Sequence, residues 1–362
     1  MPELRTDWLT GRSVIVAENR AGRPNEFAVR PGYLPTAADS PPRYCPFCPG
    51  HEADTPPTVY EQTDAAGHWQ IRVIPNKFPA LTMGADDSVS SPTSPLPPEA
   101  IVAEFPCAEL SFAPPAERRP AAGVAAVAPA VGAHEVIIES ARHVRRTAEL
   151  SASELHHVLE AYAARLAYWR DDERLRFALV FKNQGPNAGA SLGHLHSQLI
   201  ALPAVPAAIA RELARAEQAY GEEGICPYCR WIAQERAAAQ RIVLDRDGFI
   251  AFCPSASLQP FETWLLPTEH APWFEQPLRP EMLERLSGVL HALIARLESL
   301  LPEPSYNLLL RTSPWTDGIE PCSHWRIELL PRLASLAGME LGTGIHINPL
   351  APEHAAERLR EI

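Results

Sequence analysis

The chain has 362 residues, of which 46% are hydrophobic, so it is long enough for two domains, each with its own core. Its net charge of −12 and its scattered lysines and arginines exclude nucleic acid as an expected partner, because the surface repels a polyanion. The N-terminus lacks an apolar signal core, and the weakly apolar run 121–133 is too short to span a bilayer. We therefore expect a cytoplasmic protein without membrane contact, which binds small ligands.

Four of the seven cysteines form two Cys-Pro-aromatic-Cys pairs, Cys45/Cys48 and Cys226/Cys229. In a cytosolic chain this spacing indicates metal binding before a disulfide. Between the pairs, residues 83–132 are rich in Pro, Ser and Ala and keep no helical or strand period. That stretch is predicted to be a mobile insertion loop that the chemistry does not need.

The segment between the insertion and residue 208 predicts a strand, a helix and two further strands. The strand covers 135–139, and a capping box at 151–154 opens a helix that runs to about residue 170. Two β-rich segments, 176–182 and 196–202, flank a glycine-bearing loop. The order is strand, helix, strand, loop, strand.

The same order recurs after the second cysteine pair. It is predicted as strands 249–252 and 262–266, helix 280–300, and strands 306–311 and 324–330. In each half a Cys-x-x-Cys pair precedes a His that follows a strand and a second His on a late strand. We therefore predict an α+β fold built from two copies of one unit, with domains at 1–208 and 209–362.

Each copy also supplies a matched set of metal ligands. Two thiolates and two imidazoles suit a tetrahedral zinc ion, and four protein ligands make such a site structural. In the second set Cys322 competes with His324 because the two residues share a strand face; His324 is preferred. We predict two zinc ions per chain, one held by Cys45, Cys48, His143 and His194, the other by Cys226, Cys229, His270 and His324.

The chemistry is predicted in segment 189–203. In an extended chain His194, His196 and Gln198 point to one face, and a Gly/Ser loop precedes them whose backbone N–H groups can approach a phosphate. A neutral imidazole can attack an α-phosphorus and hold a nucleoside monophosphate covalently. A backbone carbonyl near His194 would fix the attacking ring in one tautomer, while the Gln198 amide steadies phosphoryl oxygens.

At these residues the sequence resembles the galactose-1-phosphate uridylyltransferase family, the transferase branch of the histidine-triad superfamily, which includes the ADP-glucose phosphorylases. The resemblance covers nearly the whole chain outside the insertion. It is carried by segments 9–17, 20–24, 45–50, 72–81, 134–140, 181–183, 194–198 and 325–331. It implies tandem histidine-triad-like domains, in which antiparallel sheets form half-barrels with helices packed outside.

The resemblance also implies the roles of individual residues. His196 would be the nucleophile, and Arg20 and Arg23 would reach phosphates across the interface of a homodimer. Of the sugar-binding stretch only Glu340 matches, since Met339 replaces an aromatic residue and no lysine stands at 334–337. The residues expected around the nucleotide are Phe47, Ile74, Asn76, Lys77, Phe78, Asn183, Gly189, Ser191 and Gln198.

Three functions follow from this pattern. The leading one is exchange of UMP between UDP-glucose and a hexose 1-phosphate such as galactose 1-phosphate, through a uridylyl-His196 intermediate. The second keeps the mechanism but transfers AMP, from ADP-glucose or a dinucleoside polyphosphate to phosphate. The third, from another class, is an inactive zinc-stabilised nucleotide-binding module, which a His196 turned away from an accessible pocket would favour.

Overall fold

The structure is a computed structural model that describes residues 2–22, 44–83, 130–276, 279–301, 305–333 and 336–362. Most of the predicted insertion 83–132 lies outside the described residues, as does Arg23. Within the described ranges, none of the helices combines the length and the apolar character that crossing a membrane requires.

The described chain folds into a mixed α+β structure around one large antiparallel sheet, which confirms the predicted fold class. The sheet has ten strands in the order β3-β4-β5-β7-β6-β11-β12-β10-β9-β8. Its first-half strands are β3 (Tyr60–Thr63), β4 (Trp69–Pro75), β5 (Ala133–Ile138), β6 (Phe177–Gln184) and β7 (His196–Leu202). Its second-half strands are β8 (Ile242–Arg246), β9 (Phe249–Phe252), β10 (Thr263–Pro267), β11 (Tyr306–Arg311) and β12 (Arg326–Pro331).

A small second sheet joins the two ends of the chain. It consists of β1 (Glu3–Thr6), β2 (Ser13–Val16) and β13 (His346–Asn348), with β2 parallel to β13. The helices of the described chain are α1 (Ala152–Arg170), α2 (Ala207–Glu223), α3 (Pro227–Ala238), α4 (Pro280–Leu300), α5 (Gly338–Thr343) and α6 (Pro352–Arg360).

Helices α1 and α4 cover one face of the large sheet. Val73, Ile137 and Leu199 point to that face and belong to the same buried cluster as Val158 of α1 and Val289 of α4. Residues in strands alternate between faces, so the neighbours of these apolar residues point to the opposite face. The candidate site lies on that opposite face.

Strand register aligns one row of side chains across this opposite face. Ile74 pairs with Val136, Val136 with Gln198, and Gln198 with Phe181. The row continues through β11 and β12, where Phe181 pairs with Leu309 and Leu309 with Glu328. Gln198 and Glu328 therefore occupy equivalent places on either side of the central pair β6–β11.

The predicted elements agree well with the observed ones. Ser151 caps α1 in a capping box: its hydroxyl accepts from the backbone N–H of Glu154, and the Glu154 carboxylate accepts from the backbone N–H of Ser151. Strands 196–202, 249–252 and 306–311 and helix α4 begin and end where predicted. Helices α2 and α3 are additions, and the predicted domain boundary at 208 falls at the start of α2; the boundary and the half-barrels stay predictions.

Candidate functional site

The first predicted metal set is assembled in the structure. One donor atom each from Cys45, Cys48, His143 and His194 lies within 4.8 Å of all the others. The Cys48 thiol is 3.3 Å from Nδ1 of His143 and 3.6 Å from Nδ1 of His194. Two thiols and two imidazoles at this spacing fit a zinc ion, whose preferred ligands are sulfur and nitrogen.

The orientation of His194 supports this fit. Its Nε2 lies 2.8 Å from the backbone oxygen of Ser140, and a carbonyl only accepts, so Nε2 carries the hydrogen. The lone pair is then on Nδ1, which faces Cys45 and Cys48. Burial lowers the pKa of His194 to about 4, so the ring is neutral at neutral pH, as a metal ligand must be.

A backbone carbonyl also fixes the tautomer of His196, but here the carbonyl contacts Nδ1 instead of Nε2. Its Nδ1 lies 2.9 Å from the backbone oxygen of His194, so Nδ1–H donates and the lone pair is on Nε2. Burial lowers the pKa of His196, which favours the neutral imidazole. This tautomer leaves Nε2 free, as the predicted role of nucleophile requires, and the ring is oriented by the carbonyl of His194, a member of the first Cys/His group.

Aromatic and aliphatic side chains form the wall beside His196. The Phe47 ring packs edge-on against the His196 ring, with centroids 5.3 Å apart. Phe47 and Ile74 are buried in one small cluster with Cys45, Val136 and Ile138. The aromatic residue inside the first Cys-x-x-Cys pair thus contacts the ring of His196, the predicted nucleophile.

Gln198 lies two residues beyond His196 on the same face and meets two polar side chains. Its Oε1 is 2.8 Å from Nε2 of His134 and 3.5 Å from Nδ2 of Asn76. The structure therefore brings the predicted Asn76 and Gln198 together. His134 lies in a segment that carries the family resemblance, but the sequence pattern assigns it no role.

The glycine-bearing loop between β6 and β7 is held from the second half of the sheet. Asn307 of β11 donates to Oδ1 of Asn183 at 2.8 Å and to the backbone oxygen of Ala188 at 3.0 Å. Gly189 has φ +91°, a left-handed conformation that a side chain would strain, and Ser191 is exposed. Asn307 was not predicted, since its partner strand is remote in the chain.

Among the described residues, the remaining predicted binding residues form no hydrogen bond with the side chain of His196 or Gln198. Lys77 donates to the backbone oxygen of Asp54 at 3.2 Å, and Phe78 is 84% exposed. Arg20 is exposed near the N-terminus, so its role across a dimer interface stays a prediction. The Glu340 carboxylate accepts from the N–H of Ala337 at 3.0 Å and caps α5, so hexose binding by Glu340 stays a prediction.

The second Cys/His group has three members within 4.8 Å of one another: Cys226, Cys229 and His270. Nδ1 of His270 is 3.5 Å from the Cys229 thiol, while its Nε2–H donates to the backbone oxygen of Glu320 at 2.7 Å. A hydrogen bond from Cys229 lowers the pKa of Cys226 to about 4, which favours a thiolate. This group too could bind metal.

The predicted fourth ligand, His324, lies beside this group but outside the 4.8 Å set. Its ring centroid is 5.8 Å from that of His270, and its Nδ1–H donates to the Trp325 oxygen at 2.9 Å. Nε2 is buried without a hydrogen-bond partner among the described residues, which fits an imidazole whose lone pair serves a metal. Cys322 ends a short 3₁₀ helix, Glu320–Cys322, so it does not share a strand face with His324 as predicted; its thiol is 3.3 Å from the Ile319 oxygen.

A buried charged network, which the sequence did not predict, lies next to the second group. Arg326 donates to both oxygens of Glu212, at 2.7 and 3.2 Å, and to Glu328 at 2.8 Å. Tyr228, the aromatic residue of the second Cys-x-x-Cys pair, donates to Glu212 at 2.5 Å. Arg326 and Glu328 follow His324 just as His196 and Gln198 follow His194.

Comparison with known proteins extends the resemblance. Residues 121–361 match the family described as a domain of unknown function, DUF4921. The whole chain is 31% identical to ADP-glucose phosphorylase from Arabidopsis thaliana, over 93% of that protein. A galactose-1-phosphate uridylyltransferase from Thermotoga maritima is 26% identical over 64% of this chain and 74% of its own length.

The solved structures agree. The crystal structure of the Arabidopsis thaliana ADP-glucose phosphorylase with bound ADP-glucose superposes with a TM-score of 0.78 at 29% identity, covering 100% of this chain and 99% of that one. Sequence and fold similarity thus extend over both halves of the sheet. The chain therefore belongs to the DUF4921 family of galactose-1-phosphate uridylyltransferase-like proteins, whose relatives include ADP-glucose phosphorylase.

Proposed function

We propose that this protein transfers AMP from ADP-glucose to inorganic phosphate through a covalent adenylyl-His196 intermediate. The observation that carries the mechanism is the fixed tautomer of His196, whose Nδ1–H is held by the His194 carbonyl while Nε2 keeps its lone pair. The choice of AMP rests on the similarity to ADP-glucose phosphorylase, which covers the whole chain. The predicted UMP transfer has weaker support, since the Thermotoga maritima uridylyltransferase is 26% identical to this chain, against 31% for the ADP-glucose phosphorylase.

In the first half-reaction Nε2 of His196 attacks the α-phosphorus of ADP-glucose. The bond from that phosphorus to the bridging oxygen breaks, and glucose 1-phosphate leaves with the electron pair. The Nδ1–H bond to the His194 carbonyl offsets the positive charge that the ring gains. The amide of Gln198 donates to phosphoryl oxygens as their charge moves in the transition state.

In the second half-reaction an oxygen of inorganic phosphate attacks the same phosphorus. The P–N bond breaks, ADP is released, its excess proton passes to solvent, and His196 regains its lone pair on Nε2. Two displacements at one phosphorus replace one direct transfer, which is the general advantage of a covalent nucleophile.

The Cys/His group beside His196 supports this chemistry without taking part in a step. Cys45, Cys48, His143 and His194 would hold a zinc ion there, and that coordination would fix the position of His194. The protein's own contribution is that the His194 carbonyl then points at Nδ1 of His196. Phe47 packs against the ring and limits its rotation.

The inactive-module hypothesis has less support from the geometry. His196 is only partly buried, and no hydrogen bond engages its Nε2 among the described residues. A binding module without catalysis has no need for a tautomer that leaves the nucleophilic nitrogen free.

The test is covalent labelling with ADP-glucose and UDP-glucose, each carrying radioactive phosphorus at the α-position. ADP-glucose should label the protein and release glucose 1-phosphate, and added phosphate should then discharge the label as ADP. The adduct should be acid-labile and alkali-stable, because a phosphoramidate hydrolyses when its nitrogen is protonated. His196→Ala should abolish labelling, and free imidazole should restore turnover in His196→Gly.

His157→Ala is the matched control, since this histidine lies on α1 and is partly exposed. It should label like the wild type. Labelling by UDP-glucose instead of ADP-glucose would replace the proposal by uridylyl transfer. Labelling by neither nucleotide sugar in folded, zinc-loaded protein would overturn both.

A further inference from the structure

His134 has both ring nitrogens engaged next to the site, and this contact pattern fixes its tautomer. Nδ1 of His134 lies 3.1 Å from the backbone N–H of Ala80. A backbone N–H only donates, so Nδ1 must accept and cannot carry a hydrogen. In the neutral ring the hydrogen is therefore on Nε2, the nitrogen that faces Gln198.

The amide of Asn76 is fixed in the same way. Its Oδ1 accepts from the N–H of Phe78 at 2.8 Å, so its NH₂ group points to the other side. That NH₂ lies 3.0 Å from Nε2 of His134 and 3.5 Å from Oε1 of Gln198. Since Nε2 of His134 already carries a hydrogen, the amide of Asn76 is left to donate to Gln198.

Two donors thus converge on one atom of Gln198, and only its carbonyl oxygen can accept them. The reverse orientation of the Gln198 amide would bring three donors together without an acceptor, so these partly buried groups would lose their hydrogen bonds. The NH₂ group of Gln198 is consequently directed away from His134. Among the described residues it makes no hydrogen bond.

We infer that His134 is a positioning residue, which holds the Gln198 amide with its NH₂ group toward the phosphoryl oxygens of the bound nucleotide. This rests on the proposed function, because the phosphoryl group is the acceptor that the structure leaves open. Strand register produces the contact: Val136 of β5 pairs with Gln198, and His134 is two residues away on the same face.

The test compares two substitutions of similar size at residue 134. His134→Gln keeps an N–H donor near the position of Nε2, whereas His134→Met removes it. The single-turnover rate of nucleotidyl transfer at saturating nucleotide sugar should fall roughly ten- to hundredfold in His134→Met, less than the roughly 10² to 10³ typical of losing the donor itself. His134→Gln should stay within about threefold of wild type, and KM should change little in either variant, because the donor acts mainly on the transition state.

A double-mutant cycle separates positioning from a structural role. In a Gln198→Ala background, His134→Met should add less than about a twofold loss, since the group it orients is already absent. Equal losses in His134→Gln and His134→Met would overturn the inference. So would a His134→Met loss that persists in full without Gln198.

The tautomer can be measured even if no nucleotide sugar labels the protein. Long-range ¹H–¹⁵N spectra of histidine-labelled protein should show His134 with a pyridine-type Nδ1 and a protonated Nε2, the signals being identified by their loss in His134→Gln. This outcome is independent of whether His196 is adenylylated. An Nδ1–H tautomer would overturn the inference while leaving the proposed function to the labelling experiment.

Discussion

The two halves of the large sheet present different side chains at equivalent positions. In β7, His196 and Gln198 lie two and four residues after a metal-set histidine, and in β12 Arg326 and Glu328 occupy the same places. Both strands flank the central pair of the sheet, and both turn these residues to the same face. The two halves therefore share the strand arrangement and a Cys/His group, and they differ in the two side chains that follow on the strand.

In the second half, hydrogen bonds within the chain engage the side chains at these positions. The Glu212 carboxylate of α2 accepts two hydrogen bonds from Arg326 and one from Tyr228, so an internal anion satisfies these donors. In the first half Phe47 replaces Tyr228, and the NH₂ group of Gln198 makes no hydrogen bond within the described chain. A strand framework with a Cys/His group is thus compatible with either arrangement. The candidate active site is distinguished by a neutral imidazole and an unpaired donor.

Substituting His196 in the first half and Arg326 in the second half should give opposite results for labelling and stability. This is the largest effect that we expect. His196→Ala should lose nucleotidyl labelling entirely but only about 1 kcal/mol of unfolding free energy, the value of one ordinary hydrogen bond. Arg326→Met should keep His196 competent but lose about 3–5 kcal/mol, because the buried carboxylate of Glu212 is left without its main partner.

Urea unfolding and labelling, measured on the same protein samples, check this pair of variants. An Arg326→Met protein with wild-type stability would show that the ion pairs contribute little. A His196→Ala protein that still labels would place the nucleophile elsewhere.

Removing one thiol from each Cys/His group in turn should show that metal at the first group is needed for labelling, whereas metal at the second group is needed for stability. We expect about two zinc ions per chain in the wild type and about one in Cys45→Ser or Cys226→Ser. Cys45→Ser should also lose most labelling, because the His194 carbonyl no longer holds His196. Cys226→Ser should lose thermal stability while the folded fraction still labels.

Elemental analysis of purified protein measures the zinc content, and labelling is compared at a temperature where both variants are folded. A wild-type protein without zinc would refute the prediction for both groups. Equal labelling in the two variants would show that the first group does not orient the nucleophile.

Local patterns explain what was predictable from the sequence. Two-residue alternation placed His196 and Gln198 on one face, and the cysteine pairs with later histidines predicted all four residues that the structure groups as the first Cys/His group. His134 and Asn307 were missed as site residues because their contacts depend on the pairing of strands distant in the chain. Glu212 was missed for the same reason, since α2 reaches β12 only in the folded molecule.

A smaller loss of stability is expected when the carboxylate of Glu212 is replaced by the neutral amide of similar shape. Glu212→Gln can accept one hydrogen bond from Arg326 but lacks the charge that pairs with it, and should lose about 1–3 kcal/mol. Glu222→Gln, on the exposed part of the same helix, is the matched control and should change stability by less than about 0.5 kcal/mol. Equal stability of the two variants in urea would show that Glu212 is not required to balance Arg326.

The smallest effect is a change in the acid sensitivity of unfolding. Burial raises the pKa of Glu212, but the charges of Arg326 and Arg311 and the hydrogen bonds from Arg326 and Tyr228 together lower it below its ordinary 4.5. Burial likewise opposes the charges around Glu328, where Arg311, Arg326 and Arg12 together lower the pKa. A carboxyl whose pKa is lower in the folded state stabilises the fold above its unfolded pKa and loses that contribution as pH falls toward the folded pKa. Burial raises the pKa of Glu262, so its contribution has the opposite sign.

As pH falls below about 4.5, wild-type stability should therefore fall more steeply than that of Glu212→Gln. One proton bound by the unfolded but not the folded chain corresponds to a slope of about 1.4 kcal/mol per pH unit, which is the most that this residue can contribute. The check is the unfolding free energy in urea at several pH values for the wild type, Glu212→Gln and Glu222→Gln. Parallel curves for all three would mean that Glu212 titrates alike in both states, and the contrast between paired donors in the second half and an unpaired donor in the first would then lose its electrostatic basis.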